Sequence, residues 1–457
     1  MIWLIFLIFF ISRVVPYIVN PVPFGYDAGL YLSVFKTFPF LAQWHQIGFA
    51  PGLFTLTYPL IKLGINPELL LIPLAVISEC LLFYSLFWVV KKLTDKKTAL
   101  IGIFLLTVSA VQFRAYWYFY INNIISLALL ILTLYFLSKN RFILGLLGSI
   151  LIGLFHLPTF LILFLIIVGE ILFNHKLRKF YLKLLLSIIL VACTYYWPRL
   201  NLTIKPYILP IIQSFNIKEI ILNTQKGSGA FYNLTTSLML VSFYLPFAVY
   251  GLFSLWGKSK KELRLFKVGF FLILGLIITR FFFYSRFFIM WDIFIIFWAA
   301  VGLNKLMEKQ KQHKDLFKYY FFILVIFIVA FIFKTGQPLI SKDLLKEIKQ
   351  FKGDSQANIL SIESGDTAWL IGYTNYPIIA WGWEGGNNLY WTNEQWRQFY
   401  NSSLTEDRIK LIKLLPQPLY IFINDHNLIN LIDLQQTSCI EQVSLHFFKF
   451  LCPEKKS

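Results

Sequence analysis

The sequence contains few charged residues. They occupy only 14% of its 457 positions, whereas 58% are hydrophobic and 19% are aromatic. It also has no Walker loop, no GxGxxG after a strand, no HExxH and no CxxC, so no motif indicates nucleotide-driven transport or a zinc site. A soluble domain of this size carries far more charge. The composition therefore predicts a polytopic membrane protein.

Residues 2–19, IWLIFLIFFISRVVPYIV, form the first long apolar segment. Their length is about that needed to cross the ~30 Å hydrocarbon core of a bilayer. They lack the small-residue cleavage site of a removable signal peptide. We predict that they form a retained membrane helix.

Acidic residues are scarce: 23 Asp or Glu stand against 42 Lys or Arg, which gives a net charge of +19. Five short segments between apolar stretches contain 20 of these Lys or Arg and only 4 Asp or Glu. The segments are 91–98, 138–141, 174–183, 258–267 and 304–318. Positive charge in short loops between spans is the positive-inside signature of cytoplasmic loops. It does not indicate a nucleic-acid-binding surface.

The basic loops determine the predicted topology, because two cytoplasmic loops must be separated by an even number of crossings. Counting residues 47–64 as a span would make that number odd, so we predict a helix at the outer interface there, where Pro51, Gly52 and Pro59 fit. Eleven spans remain, with the amino terminus inside and the carboxyl terminus outside. The predicted spans are 2–19, 69–90, 99–113, 118–137, 142–155, 157–173, 183–199, 234–256, 267–284, 287–303 and 319–334.

The sequence predicts two domains. Residues 1–334 would form the transmembrane domain, with outer loops at 20–68 and about 200–233. Residues 335–457 are nearly neutral in charge and would form an extracytoplasmic α/β domain. Within it, four short apolar runs predict strands and two amphipathic runs predict helices. The strands would be ANILSI, WLIGY, PLYIFIND and VSLHFFKFL, and the helices NEQWRQFY and TEDRIKLIKLL.

Only four cysteines occur in the chain. Cys80 and Cys193 fall in predicted spans and are expected to be inert. Cys439 and Cys452 flank the final pair of predicted strands, and the sequence leaves open whether they form a disulfide in an oxidising compartment.

Polar residues near the predicted outer surface are the candidates for chemistry. Asp27 follows the first span in GYDAGLYL, beside Tyr26 and Tyr31. A loop aspartate of this kind either acts in catalysis or caps a short helix. His45 in AQWHQIG could be a ligand or a base, with a structural histidine as the alternative.

Three arginines lie near the same surface. Arg114 follows the third span in QFRAYWYFYINN, with Asn122 and Asn123 about two turns further on. Arg280 and Arg286 bracket an outer turn in TRFFFYSRFFIMWD. A guanidinium group at the interface can bind a lipid phosphate with two hydrogen bonds, although an arginine at a helix end can also merely reach for water.

Three acidic residues fall within or at the ends of predicted spans: Glu79, Glu170 and Asp292. An acidic side chain is costly to bury in a membrane. Each is therefore a candidate for a functional role.

These features resemble the GT-C superfamily of membrane glycosyltransferases, which includes protein O-mannosyltransferases, aminoarabinose transferases and oligosaccharyltransferases. FAPGLFTLTYPLIKLG is similar to the family segment hPPGlyyllalvyklfG, and GYDAGLYL is similar to DEayY, whose Asp corresponds to Asp27. FRAYWYFYINN is similar to sRyilLDsp and carries over Arg114. YSRFFIMWDIFIIFWAAVGL is similar to a late family span and carries over Arg286. WGWEGG differs in order and spacing from the oligosaccharyltransferase motif Trp-Trp-Asp-Tyr-Gly, so no role is carried over.

The resemblance implies a GT-C fold and transfer of a sugar from a polyprenyl-phosphate-linked donor to a lipid, glycan or protein acceptor on the outer face of the membrane. Asp27 would be the catalytic carboxylate, and Arg286, Arg114 and Arg280 would bind the donor phosphate. Further substrate-binding candidates are Tyr26, Tyr31, His45, Asn122 and Asn123. Ala28 replaces the usual Glu of the first motif, and an Asn replaces the Asp of the second, so the use of a divalent metal stays open.

Two other classes of function are alternatives. A polytopic transporter or lipid-linked glycan flippase would show repeated, Gly- or Pro-broken spans in its two halves, and the sequence has no such symmetry. A non-catalytic scaffold for envelope assembly would tolerate the loss of Asp27.

Overall fold

A computed structural model describes residues 1–25, 27–37, 50–197, 231–255, 261–281, 284–310, 312, 314–380, 390–402, 404–424 and 438–452. The chain forms two compact units. The membrane unit comprises Met1–Val19 and Phe38–Gln337. The α/β unit comprises Asn20–Thr37 and Pro338–Ser457, so part of the predicted first outer loop folds with the carboxyl-terminal residues.

The membrane unit is helical. Its helices are α1 (Ile2–Val19), α3 (Gly52–Lys62), α4 (Pro67–Leu93), α5 (Lys96–Val108), α6 (Ala110–Trp117), α7 (Ile121–Ser138), α8 (Phe142–Phe155), α9 (Leu157–Phe173), α10 (Arg178–Tyr196), α11 (Leu234–Val241), α12 (Leu245–Ser254), α13 (Arg264–Ile278), α14 (Tyr284–Lys309) and α15 (Lys314–Thr335). Short 3₁₀ turns precede α10 and α13. Helix α2 (Asp27–Thr37) belongs to the α/β unit.

Most of the described residues of each predicted span lie on one of these helices or on a pair of them. By length and composition, five described helices could cross a membrane, namely α1, α4, α7, α14 and α15, and the number rises to eight if each of three bent pairs is one span. These are the helices of a multi-pass membrane protein, as the composition predicts. The number of eleven crossings stays a prediction.

Helix breaks in the membrane unit have local causes. The predicted break near His156 is confirmed, because α8 ends at Phe155 and α9 begins at Leu157 with Pro158 in its first turn. Helices α5 and α6 meet at 53°, and α11 and α12 meet at 70°. Ser109 separates the first pair, and its hydroxyl caps α6 by accepting a hydrogen bond from the Gln112 backbone N–H at 3.1 Å.

Helix α14 lies at the centre of the membrane unit, and its apolar stretch of 18 residues is fully buried. Its backbone touches that of α12. A Cβ atom on Gly251 would lie 2.1 Å from the Trp298 carbonyl oxygen, and one on Gly302 would lie 2.0 Å from the Phe247 carbonyl oxygen. Glycine is therefore needed at both positions, as in other close helix contacts within membranes.

The α/β unit contains a five-stranded mixed sheet. Its strands are β1 (Asn358–Ser361), β2 (Ile378–Ile379), β3 (Leu419–Phe422), β4 (Ile440–Gln442) and β5 (Phe447–Phe450). The strand order is β2-β1-β3-β5-β4, and β1 pairs in parallel with β2 and β3 whereas β5 pairs antiparallel with β3 and β4. The other helices of this unit are α16 (Lys342–Gln350), α17 (Ser364–Tyr373), α18 (Asn393–Asn401) and α19 (Thr405–Lys413).

One predicted strand of this unit is wrong. The run WLIGY lies in α17, whose Trp369 and Leu370 are buried. A short apolar run fits a buried helix as well as a strand, and only packing decides between them. The helices predicted at NEQWRQFY and TEDRIKLIKLL are confirmed as α18 and α19.

The structure shows that two of the four cysteines are bonded to each other. Cys439 and Cys452 form a disulfide across the β4–β5 pair, with Cα atoms 4.9 Å apart. Both residues pack against the hydrophobic core of the unit, which includes Trp396, Phe399 and Ile421. The disulfide thus links the start of the edge strand β4 to the end of β5.

Candidate functional site

The candidate residues are divided between the two units. Asp27 and Tyr31 lie in the α/β unit, whereas Arg114, Arg280, Arg286, Asn122 and Asn123 lie in the membrane unit. Tyr26, His45 and the WGWEGG segment lie outside the described residues.

Asp27 is the first residue of α2 and is half-buried. A tight turn leads into the helix, where the Ala28 backbone N–H donates to the Gly25 carbonyl oxygen at 3.1 Å. A carboxylate in the first turn of a helix is stabilised by the helix dipole. Asp27 therefore lies at the positive end of the helix dipole, with part of its surface exposed.

Helix α2 is seated directly on the backbone of α17. A Cβ atom on Gly29 would lie 2.1 Å from the Ala368 carbonyl oxygen, and one on Gly372 would lie 2.3 Å from the Gly29 carbonyl oxygen. The Lys36 ammonium group donates to the Gly372 carbonyl oxygen at 2.7 Å. Tyr31, predicted as a substrate-binding residue, is 5% exposed within this unit. Asp27 is thus carried on a tightly packed helix, as a reactive group requires.

Arg114 lies on α6 among aromatic rings. Its Cζ atom is 3.8 Å from the ring centroid of Trp117, 4.3 Å from that of Tyr118 and 5.0 Å from that of Tyr232. Its Nη2 donates to the Tyr118 hydroxyl at 2.9 Å. Its Nε is buried and makes no hydrogen bond to a described residue. Cation–π contacts hold the guanidinium group here.

Arg286 reaches the same group of rings from α14. Its Cζ atom lies 5.1 Å from the centroid of Tyr120, and the rings of Tyr118 and Tyr120 stack 5.4 Å apart at 16°. We call these two stacked residues the tyrosine pair. Phe119 between them has φ of 68°, an uncommon conformation for a non-glycine residue. This turn brings both rings to one side, so Arg114 and Arg286 contact the same pair.

The remaining membrane-unit candidates lie near the ends of helices. Asn122 and Asn123 are in the first turn of α7 and are 7% and 3% exposed. Arg280 follows α13 with φ of 48°, and its side chain is exposed. No contact joins Arg280 to the tyrosine pair in the part of the chain that the structure describes.

The sequence suggested both arginines as candidates but not the two tyrosines that contact them. The signal was present, because RAYWYFY places aromatic residues directly after Arg114. Aromatic residues are so frequent in this chain, however, that these two do not stand out before the stack is seen.

A divalent metal, which the resemblance leaves open, needs several His, Cys, Asp or Glu ligands. Over the described residues no three such side chains converge. The residue after Asp27 is Ala28, which offers no ligand. The described residues alone therefore do not supply a metal site.

Comparison with known proteins identifies the fold. No protein-family model and no curated protein matches the chain. Among solved structures, the apo oligosaccharyltransferase of Archaeoglobus fulgidus matches 93% of this chain and 69% of its own, with a TM-score of 0.62 and 12% identity. The A. fulgidus oligosaccharyltransferase AglB with an inhibitory peptide and a dolichol-phosphate matches 92% and 69%, with a TM-score of 0.59 and 12% identity.

A third structure, an A. fulgidus oligosaccharyltransferase with zinc and sulfate, matches 92% of this chain and 68% of its own, with a TM-score of 0.55 and 12% identity. The chain therefore has the fold of these oligosaccharyltransferases. This fold agrees with the one that the sequence resemblance implies.

Proposed function

We propose that this protein is a glycosyltransferase that moves a sugar from a polyprenyl-phosphate-linked donor to an acceptor on the outer face of the membrane. The observation that carries the proposal is the fold shared with oligosaccharyltransferases over 93% of the chain. One of those structures contains a dolichol-phosphate and a peptide, which are ligands of the kinds that the proposed reaction uses. The two arginines at the tyrosine pair add a cationic site suited to a phosphate.

In the proposed reaction the acceptor attacks the anomeric carbon of the sugar. The Asp27 carboxylate accepts the acceptor's proton as the new glycosidic bond forms. The bond between the anomeric carbon and the carrier phosphate oxygen breaks, and the phosphate leaves with the electron pair. Arg286 and Arg114 bind the phosphate of the donor and keep these contacts as the phosphate leaves.

The tyrosine pair prepares the arginines for this role. A guanidinium group held over aromatic rings has lost part of its side-chain freedom before a phosphate arrives. Arg280, exposed near the end of α13, is proposed as a more peripheral phosphate contact. Asn122, Asn123, Tyr26, Tyr31 and His45 remain the candidates for binding the rest of the substrates.

We also propose eleven crossings, with the amino terminus in the cytoplasm and the α/β unit outside. The Cys439–Cys452 disulfide supports an oxidising compartment for this unit. In a variant without Cys80 and Cys193, a cysteine at the exposed Asn401 should react with an impermeant thiol reagent in intact cells. A cysteine at the exposed Lys96 should react only after lysis, and labelling in intact cells would refute the topology.

The function itself is tested with the detergent-purified protein and a labelled polyprenyl-phosphate sugar. Peptide, glycan and lipid acceptors are supplied in parallel, and the labelled product is separated from the donor. Label must move to at least one acceptor class at a rate that depends on enzyme concentration. Intact donor with all three classes would count against the proposal.

A further inference from the structure

Asp292 is a fully buried acid on α14 that the proposed reaction does not use. Its Oδ2 accepts hydrogen bonds from the Ser109 hydroxyl at 2.8 Å and from Gln112 Nε2 at 2.9 Å. Its Oδ1 accepts a hydrogen bond from the Tyr244 hydroxyl. Three donors on one carboxylate offset the cost of burying it among apolar helices.

The donors lie at or near two of the three bends between described helices of the membrane unit. Ser109 is the residue between α5 and α6, and Tyr244 comes directly before α12. Gln112, one turn into α6, also donates to the Ile289 carbonyl oxygen of α14 at 2.9 Å. A side chain that inserts at a break is a recognised cause of helix bending. Asp292 therefore connects both bends to the central helix.

The same contacts connect the two helices that carry the arginines. Arg114 follows Gln112 by two residues on α6. Arg286 precedes Asp292 by six residues on α14, which is about 9 Å along the helix axis. Movement of α6 relative to α14 would thus change the distance between the guanidinium groups and their placement on the tyrosine pair.

We propose that Asp292 is a positioning residue, which holds the bends at Ser109 and Tyr244 and thereby fixes Arg114 relative to Arg286. The geometric part stands on the contacts of the membrane unit alone. Its consequence for donor binding rests on the proposed function.

The proposal requires hydrogen-bond acceptance and not charge. In Asp292→Asn, the amide oxygen can still accept from Ser109 and Gln112, while the amide nitrogen can donate to the Tyr244 oxygen. Asp292→Leu is close in size and accepts nothing, so it removes all three hydrogen bonds. Tyr244→Phe removes one donor and keeps the ring, and so provides a milder variant if the leucine variant does not fold.

Hydrogen exchange of the detergent-purified proteins tests the geometric part. Asp292→Leu should exchange about tenfold faster at 109–117 and 242–247, the change expected for the loss of about one buried hydrogen bond, while α4 stays unchanged. Tyr244→Phe should exchange faster at 242–247, and Asp292→Asn should exchange at the wild-type rate. The control is Glu170→Gln, a buried acid of the same unit that pairs with Arg264 and Asn174 and should leave both bends unchanged. Unchanged bends in Asp292→Leu and Tyr244→Phe, or equal acceleration throughout the unit, would overturn the proposal.

Donor kinetics test the consequence. Asp292→Leu should raise the KM for the polyprenyl-phosphate donor about tenfold with kcat largely kept, because the arginines are misplaced and the base is not. Asp292→Asn should restore the wild-type KM. An unchanged KM in a leucine variant with loosened bends would refute the positioning role. A wild-type protein without transfer activity would instead refute the proposed function, and the exchange data would still decide the geometry.

Discussion

Two ion pairs, one from each unit of this protein, lie in opposite environments. In the membrane unit, Arg13 and Glu79 form an ion pair at 3.0 Å in which both side chains are 0% exposed. In the α/β unit, Arg397 and Glu394 lie 3.7 Å apart with most of both side chains in water. A buried pair must offset a large desolvation cost, whereas an exposed pair contributes little either way.

The difference distinguishes structural from functional charges. Glu79 and Asp292 are fully buried, and each has a hydrogen-bond partner within the fold. Asp27 is half-buried at a helix start, and Arg114 is half-buried among aromatic rings. We infer that enclosed charges hold the fold and that accessible ones act on substrates. The predictions test this division, beginning with the largest expected effect.

Replacing Asp27 should abolish most of the activity and leave the fold intact. Asp27→Asn keeps the size of the side chain and caps a helix about as well as Asp. It cannot accept a proton at neutral pH, so sugar transfer should fall by about 10²- to 10⁴-fold, the range for loss of a general base. The measurement is transfer from the labelled donor, with thermal unfolding run alongside.

The control for this prediction is an exposed acid in the first turn of another helix of the same unit. Asp343→Asn lies in the first turn of α16 and should keep wild-type transfer. A stable Asp27→Asn protein that retains more than about a tenth of the activity would exclude Asp27 as the base.

Arg286→Ala should raise the donor KM about tenfold or more, because a charge-assisted hydrogen bond to the phosphate is lost. Arg286→Lys should rescue it only in part, since an ammonium group cannot make the bidentate contact. Arg280→Ala should have a smaller effect, because that side chain is exposed and makes no contact with the tyrosine pair in the described structure. Lys176→Ala, in a predicted cytoplasmic loop, controls for the loss of a positive charge.

The outcome for Arg286 separates binding from surface attraction. An equal donor KM in the wild type and in Arg286→Ala would mean that this guanidinium group extends towards water and does not bind the donor phosphate. A KM effect that disappears at high salt would indicate long-range attraction in place of a direct contact.

Local sequence predicted the membrane helices well. The bounds of α8 and α9 agree with the predicted segments 142–155 and 157–173, because apolar runs and Pro158 are local signals. The bend at Ser109 was not predicted, since neither Pro nor Gly marks it and the hydrogen bond from Ser109 goes to Asp292, far away in the chain. The candidate arginines followed from motifs, but the stack that joins them depends on the turn at Phe119.

The grouping of residues 20–37 with the carboxyl-terminal unit could not be read from the sequence. It depends on the contact between Gly29 and Gly372, which no local pattern reports. The same limit explains the error at WLIGY, where tertiary packing chose a helix.

The close contact between the backbones of α2 and α17 gives a prediction on stability. Gly372→Ala places a methyl group 2.3 Å from the Gly29 carbonyl oxygen, so backbone must move, and the free energy of unfolding of the α/β unit should fall by about 1–3 kcal/mol. Gly365→Ala is the matched control in the same helix, because nothing lies within 4 Å of its added methyl group. It should leave the stability unchanged or raise it slightly. Equal melting of the two variants would show that α2 is not tightly seated.

The smallest effect is expected at Glu347, a partly buried acid of the α/β unit. Its Oε1 accepts hydrogen bonds from the Ser444 hydroxyl at 2.6 Å and the His446 backbone N–H at 2.9 Å, and its Oε2 lies 2.7 Å from His446 Nδ1. Partial burial acts to raise the pKa of Glu347, but these hydrogen bonds outweigh it and lower the pKa from its ordinary value of 4.5.

A lowered pKa in the folded state means that the ionised form stabilises the fold. That stability is fully present above the unfolded pKa, near 4.5, and is lost as the pH falls through the lower folded value. Glu347→Gln should therefore cost about 1 kcal/mol at pH 7, the scale of one hydrogen bond, and should reduce the loss of stability between pH 5 and pH 3. Thermal unfolding of both proteins across that pH range measures the difference. Identical pH profiles would show that Glu347 behaves like the exposed acids of this unit, and the division between enclosed and accessible charges would then apply to the membrane unit alone.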